Sequence, residues 1–246
     1  MKIGIADYGL NVWDGGGCFD QQERWRRLAA IGYEGVERLT AISGEHALQT
    51  AAEMRRMGLD FATVRTSAVE SSIRWTAAMG KEYVWVYSEA KGFDALCRQA
   101  RHQAEACSRY GIRVALHNHM GTPVETEEEL ESFLAECPDV RLVFDTAHLA
   151  AMGGDAEAIA GKYANRIQVL HLKDWIETDK ENPDWTKRGC FCGLDKGNVG
   201  LDNAAVLRAA RAGGFDGWVF VEHDTHLQDP YLDLEMSRQV LRAAGY

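Results

Sequence analysis

Residues 113–122 read Arg-Val-Ala-Leu-His-Asn-His-Met-Gly-Thr, an apolar run that breaks into two histidines. Such a run predicts a buried strand whose carboxyl end opens into a site. Side chains alternate along a strand, so His117 and His119 share a face and Asn118 takes the other. Two imidazoles on one face offer two metal ligands, or one ligand and one proton-transfer group. Hydrogen-bonded core histidines are the plainer alternative. Three later stretches share the design: Leu142-Val-Phe-Asp145-Thr-Ala-His148, Val169-Leu-His171-Leu-Lys173-Asp-Trp175 and Phe220-Val-Glu222-His-Asp224. Each is an apolar strand that ends in ionisable residues, and four such endings at one mouth are hard to explain by packing. His117, Asp145, His171 and Glu222 together supply two imidazoles and two carboxylates. That mixed set suits Mn²⁺ or Co²⁺ first, and also Zn²⁺, Fe²⁺ or Mg²⁺, with positions left open for substrate oxygens. A polar cluster without a metal is the alternative, and it would leave four buried ionisable groups straining one another's desolvation.

These endings have to be positioned by a repeated scaffold. The chain opens on a short apolar strand, Lys2 to Asp7, followed by a glycine-rich loop from Gly9 to Cys18. Asp20-x-x-Glu23 then starts an amphipathic helix that stops at Gly32. Ile31-Gly-Tyr-Glu-Gly-Val36 recurs late as Gly213-Gly-Phe-Asp-Gly-Trp218, and simpler helix-glycine-strand junctions fall at Gly58, Gly80 and Gly111. Glycine at each helix end supplies a left-handed cap, so these junctions punctuate a repeated step. Counting by that step predicts eight strands: Lys2–Asp7, 35–39, 59–64, 83–87, 113–119, 142–145, 167–173 and 218–222. Helix starts are signalled by Ser67-x-x-Glu70, Thr126-x-x-Glu129, Asp155 and Asp202. Eight alternating units predict an α/β fold, a single (β/α)8 TIM barrel over residues 1–246, with its active site at the carboxyl ends of the strands. An open doubly wound sheet is weakened because no Gly-x-Gly-x-x-Gly turn follows the first strand.

Composition narrows the partners. The 246 residues are 46% hydrophobic and 26% charged, as in an ordinary globular protein. A formal net charge of -10 argues against a nucleic-acid ligand, which needs clustered Lys and Arg. Six scattered cysteines, and no charged-then-apolar leader, lead to an expectation of reduced thiols and a cytoplasmic location. Cys190-Phe-Cys192 lacks a second cysteine pair and reads as loop cysteines rather than a metal or redox site. No run is long enough to span a membrane. The outer helices are compatible with a homo-oligomer, but no residue specifies one.

Asp145-Thr-x-His148, His171-Leu-Lys-Asp174 and Val219-Phe-Val-Glu222 resemble the xylose isomerase-like barrel superfamily of sugar isomerases, epimerases and dehydratases, over nearly the whole chain. Where that superfamily usually brings its first metal ligand as Glu in a Glu-Asn-His turn, this sequence has His117-Asn-His119. That departure, with Met120-Gly-Thr122 after it, resembles the inosose dehydratase branch. The resemblance implies a metal site at His117, Asp145, His171 and Glu222. Ketose 3-epimerases of the superfamily use a glutamate on each face of the substrate, and here only Glu222 of that pair survives. A one-sided site favours a metal-dependent lyase or dehydratase acting on a polyhydroxylated ketone, an inosose or a keto-sugar. It would abstract an α-proton, hold a metal-stabilised enediolate and eliminate a β-substituent. A metal-dependent sugar isomerase or ketose epimerase is the alternative, and it needs a second proton-transfer group opposite Glu222. An abasic-site endonuclease would need more zinc ligands and a basic groove, and a non-catalytic sugar-binding barrel would leave the four reactive strand ends unexplained.

His119 and Lys173 are the first acid and base candidates, with Glu222 both ligand and catalytic carboxylate. His148 is placed behind the ligands, orienting them or the substrate. Glu37, on the inward parity of its strand, and Arg65 are candidates for binding substrate hydroxyls, and a one-residue slip would exchange Glu37 for Arg38. Trp13, Tyr87, Trp175 and Trp185 could wall a sugar ring. Residues 176–198 are too long for a routine connection and are expected to fold over the mouth as a loop, bringing Arg188 or Trp185 to the substrate.

Overall fold

The computed structural model of the chain describes residues 1–6, 10 and 20–246. The glycine-rich loop, Trp13, Cys18 and the end of the first strand at Asp7 lie outside the described residues. The chain runs β1 (Lys2–Ile5), α1 (Gln21–Ile31), β2 (Gly35–Thr40), α2 (Gly44–Arg56), β3 (Asp60–Arg65), α3 (Val69–Ala78), β4 (Tyr83–Trp85), α4 (Phe93–Ser108) and β5 (Arg113–His117). It continues through α5 (Glu127–Glu136), β6 (Arg141–Asp145), α6 (Thr146–Ala151), α7 (Ala156–Lys162) and β7 (Ile167–Leu172). A hairpin of β8 (Asp174–Glu177) and β9 (Gly189–Cys192) precedes α8 (Asn203–Ala212), β10 (Trp218–Val221) and α9 (Pro230–Ala243).

Eight strands form one parallel sheet in the order β3-β2-β1-β10-β7-β6-β5-β4. β3 and β4 come together at the two ends of that order without a hydrogen-bonded ladder, so the ring is a (β/α)8 barrel with one open seam. Period-2 alternation separates two apolar layers. Ala62, Tyr83, Ala115, Val143, Val169 and Phe220 point into the barrel. Their neighbours Val114, Leu116, Leu142, Phe144, Leu170, Val219 and Val221 pack outward under the helices. The same alternation carries the inward face from Ala115 to His117, from Val143 to Asp145, from Val169 to His171 and from Phe220 to Glu222. An apolar barrel floor two residues below each of His117, Asp145, His171 and Glu222 is thus built into the sequence pattern.

The helix ends follow their signals. Asp20 accepts the Gln22 and Glu23 N–H groups, Thr126 and Glu129 form a reciprocal capping box, and Asp155 and Asp202 cap their helices. Gly32 closes α1 at φ 99°, the left-handed conformation the junction pattern requires. One start differs: α3 begins after Ala68 with no side-chain cap. Thr66 and Ser72 hold that turn instead, Thr66 Oγ1 donating to the Ala68 carbonyl and the Thr66 N–H donating to Ser72 Oγ. Strand 5 also ends earlier than the sequence predicts, at His117, because the chain turns at 119–122 and the His119 N–H donates to the Val124 carbonyl.

Residues 176–198 are more ordered in backbone pattern than a loop. β8 and β9 pair antiparallel from Asp174 opposite Cys192 to Glu177 opposite Gly189, with a short 3-10 turn at Trp185–Lys187 between them. Asp174 anchors this hairpin, its carboxylate accepting the N–H groups of Trp175 and Gly197 at 2.9 and 3.0 Å. Cys190 and Cys192 lie on β9 as free thiols, as are Cys97, Cys107 and Cys137. No helix among the described residues is long and apolar enough to cross a membrane.

Candidate metal centre and active site

At the carboxyl ends of β5, β6, β7 and β10, His117, Asp145, His171 and Glu222 converge. One donor atom from each lies within 4.8 Å of the others, a spread that a divalent ion with bonds of about 2.1 Å nearly spans. His117 Nε2 is 3.3 Å from Asp145 Oδ2, and His171 Nδ1 is 3.0 Å from Glu222 Oε2 and 3.9 Å from Asp145 Oδ2. Asp145 and His171 are buried beneath the cavity floor, and His117 and the buried Glu222 line the cavity. Two imidazoles and two carboxylates in this arrangement fit a divalent ion, and three of the four are fixed from behind.

Glu37 fixes His171. Its Oε2 is 3.1 Å from His171 Nε2, while its Oε1 accepts from Tyr83 Oη at 2.8 Å and Trp85 Nε1 at 2.7 Å. Glu37 is therefore inward, as its parity requires, but it lies beneath the histidine, fully buried, and does not reach the cavity. It braces His171 and does not line the cavity. Asn118 fixes Asp145: its side chain accepts the Asp145 N–H at 2.8 Å and donates to the Asp145 carbonyl at 2.9 Å. Lys173 Nζ fixes Glu222 and Asp145 by charge, at 2.8 and 3.1 Å, and also meets Asp224 at 2.7 Å. A carboxylate behind a ligating imidazole sets both tautomer and basicity. Glu37→Gln is accordingly expected to weaken divalent-metal binding by about 10- to 100-fold in a calorimetric titration. An unchanged Kd would mean that packing against Trp85 and Phe220 alone holds the His171 ring.

The charges divide sharply. Burial opposes the charged form of His171, but the Glu37 and Glu222 carboxylates on its two sides overcome that cost and push its pKa up to about 10. Burial likewise opposes the Lys173 ammonium, and Asp145, Glu222 and Asp224 outweigh it, holding the lysine charged. Asp145 and Glu222 are held well below the usual carboxylate range against burial, by Lys173 first and then the nearby histidines. Burial lowers His117, His119 and His148, which stay neutral. His171 must release its proton before Nδ1 can ligate, so metal uptake at neutral pH displaces a proton.

Around this centre lies a cavity of about 660 Å³, with Arg38, Arg65, Trp85, His119, Lys173 and Asp224 among its walls. A larger one of about 960 Å³ adjoins it at Arg38, Arg65 and Trp85 and contains none of the four ligand-type residues. His119 faces the first cavity although it has left the strand. Its Nδ1 donates to the Met120 carbonyl at 2.6 Å, which leaves Nε2 with its lone pair. His148 stacks on His119 with ring centroids 3.7 Å apart, and its Nδ1 accepts the Met120 N–H. His148 is fully buried, behind His119 and not in the cavity wall.

The hairpin closes one side. Trp185 meets the edge of His119 at 5.5 Å and sits on Gly121, where φ is 76° and any side chain would strike the indole. Trp175 lines the cavity while almost wholly buried against Phe191, with centroids 4.7 Å apart. Arg188 does not join them. Its Nε donates to the Asn182 carbonyl at 2.7 Å and its guanidinium meets Met152, so it braces the hairpin instead of enclosing substrate. Tyr87 borders the larger cavity and is largely exposed. Sequence reasoning gave no role to Asp224, Trp85 or Asn118. Asp224 had a signal, the parity of Glu222 two residues on, whereas Trp85 gains its place only when β4 and β2 are brought together by closure.

An eight-stranded parallel barrel with an N/O ligand set at its carboxyl mouth defines a class. The chain belongs to the xylose isomerase-like TIM barrel family, whose model matches residues 25–244. It is 32% identical over 153 residues to an inosose dehydratase of Lactiplantibacillus plantarum, covering 58% of this chain and 50% of that protein. The chain spans about half the length of the curated relatives it matches. The fold is also that of the probable 3-DHS dehydratase AsbF of Bacillus anthracis, at TM-score 0.75 and 17% identity over 98% of this chain and 99% of that one. An IOLI protein solved with a zinc atom matches at TM-score 0.68 and 17% identity, over 100% of this chain and 96% of that one.

Proposed function

We propose that the chain is a divalent-metal-dependent lyase that removes water from a polyhydroxylated ketone of the inosose type, with Mn²⁺ or Co²⁺ as the working ion. The observation that carries this reading is the make-up of the cavity wall: its carboxylates, Glu222 and Asp224, both follow β10 and meet Lys173, while β5 contributes the neutral imidazoles of His117 and His119 and no carboxylate. The likeness to inosose dehydratase over 58% of the chain supports the substrate class, and the zinc atom of the similar IOLI structure supports a divalent ion.

His117, Asp145, His171 and Glu222 would hold the ion, which supplies Lewis-acid polarisation of the substrate ketone when bound. His119 Nε2, unprotonated and facing the cavity, accepts the proton from the carbon next to the ketone. The C–H electron pair forms the enol double bond, and as the ketone C=O reforms that pair shifts to make the new Cα=Cβ bond while the Cβ–O bond breaks, its electrons leaving on the hydroxyl. The Lys173 ammonium, kept charged by its three carboxylates, donates a proton to the departing β-hydroxyl, which leaves as water. The product is an α-hydroxy-enone, the enol of a 1,2-diketone. Arg65 and Arg38 on the far wall bind the remaining hydroxyls, and Trp85 and Trp185 cover the apolar faces of the ring.

Proton NMR in D₂O of the Mn²⁺- or Co²⁺-loaded protein with a panel of inososes and keto-sugars tests the reading. The expected result is loss of the α-proton signal together with dione or enone resonances. Deuterium entering a sugar of altered configuration, with no elimination, would replace it with isomerase or epimerase chemistry and require a second proton-transfer residue.

A further inference from the structure

Just past β10 a second group of ligand-type side chains lies outside the cavity. Because strand side chains alternate, Glu222 turns into the barrel while His223 turns outward to α9. There one donor atom each from His223, His226 and Asp233 lies within 4.8 Å of the others. The His226 Nδ1 and Asp233 Oδ2 atoms are 3.5 Å apart, close to the roughly 3.3 Å edge of a tetrahedron with bonds of about 2.0 Å. All three side chains are more than nine-tenths buried or on that border, His223 at 2% exposure, His226 at 1% and Asp233 at 9%.

The set is also oriented. His223 Nε2 is 3.1 Å from Ser237 Oγ, and among the described residues its other nitrogen, Nδ1, is buried without a hydrogen-bond partner. Asp233 is held by the Leu227 N–H at 3.2 Å and by Gln228 Nε2 at 2.8 Å. The Ser237 and Gln228 contacts fall on atoms other than the donors, the outer fixing that buried metal ligands commonly receive, while the Leu227 N–H shares Asp233 Oδ2 itself. A buried imidazole nitrogen with no partner carries a desolvation cost that a metal bond removes.

We infer that His223, His226 and Asp233 form a second metal site, of the tetrahedral zinc type, with a water as the remaining ligand. Its role is to staple the segment after β10 to helix α9. That segment carries Asp224 and Thr225, both in the wall of the catalytic cavity, and Asp224 is one of the three carboxylates on Lys173. The site is separate from the barrel centre in ligands and in facing, and it does not rest on the proposed reaction.

The test counts zinc on the full chain. Chelator-stripped protein is equilibrated with Zn²⁺ alone and the bound metal is measured by atomic emission. Wild type is expected to bind two equivalents, and His117→Ala to keep the equivalent at the second site. Adding His226→Ala to His117→Ala should remove that equivalent, and Asp233→Asn in the same background should weaken it at least tenfold. Equal zinc in His117→Ala and His117→Ala/His226→Ala would overturn the inference and leave the trio as a hydrogen-bonded latch. Where the double variant does not fold, Co²⁺ is added to His117→Ala. Tetrahedral Co²⁺ bands that weaken when Asp233→Asn is added to that variant support the second site, and bands unchanged by Asp233→Asn, arising from the Asp145, His171 and Glu222 left in the barrel, overturn it. Loss of lyase activity enters none of these readouts, so failure of the proposed reaction and failure of this site are told apart.

Discussion

Dialysis against a chelator is expected to lower turnover of an inosose by about 10³-fold, and Mn²⁺ or Co²⁺ should restore it. The loss follows from removing a Lewis acid worth several kcal/mol at the developing oxyanion, since about 4 kcal/mol corresponds to a factor of 10³. His117→Ala should give the same loss without restoration at the same metal concentration. His117 lines the cavity together with Glu222 and, unlike the other three, has no residue bracing it from behind. With it gone, Asp145, His171 and Glu222 remain, and two of these already spend an oxygen on Lys173. The protein should nonetheless stay folded, because His117 is at a strand end and its removal leaves no buried charge alone. Full turnover in the metal-free protein, or in His117→Ala, would defeat the metal-dependent reading. Loss of activity with an unchanged metal Kd in His117→Ala would remove His117 from the ligand set and make it a substrate contact.

Much of this centre is legible in the residues because barrel strands are periodic. An apolar residue two positions before each ligand fixes its face, so His117, Asp145, His171 and Glu222 follow from parity once eight strands are counted. Helix caps are legible for the same reason, being local: Asp20, Thr126, Asp155 and Asp202 act within three residues of themselves. What parity does not convey is depth. Glu37 and Arg65 sit on adjacent strands, yet Glu37 lies beneath His171 and Arg65 reaches the cavity, because the pairing sets Arg65 opposite Thr40, three residues nearer the mouth than Glu37. Hairpins are the other gap. Residues 176–198 look like a polar loop because their alternation is short, and Arg188 looks available for substrate because its partner, a main-chain carbonyl of Asn182, leaves no trace in the sequence. His119 is the reverse case. It reaches the predicted face by a turn, not by strand geometry, and its hydrogen bond to the Met120 carbonyl decides which nitrogen meets the cavity.

Lys173→Met should destabilise the metal-free protein by about 3–5 kcal/mol, on the order of 10 °C in melting temperature for a chain of this size. The lysine is almost completely buried, and its ammonium is shared by Asp145, Glu222 and Asp224. Methionine conserves most of the side-chain volume, so the change isolates charge from packing. Without the ammonium, three carboxylates face one another at the barrel mouth with protonated His171 as their nearest buried cation, and that proton is already shared with Glu37. A bound divalent ion would replace the missing positive charge at Asp145 and Glu222. Saturating Mn²⁺ should therefore raise the melting temperature of Lys173→Met more than that of wild type. For scale, ligand at 100 times its Kd stabilises a native state by about 2.7 kcal/mol. The comparison is made by calorimetric melting of both proteins with and without metal. Equal melting temperatures for the two metal-free proteins would mean that the carboxylates take up protons in the variant, and that Lys173 is not what keeps them charged. A large loss that metal does not reverse would place the effect in the Lys173–Asp224 contact, which holds the segment after β10 and lies outside the ligand set.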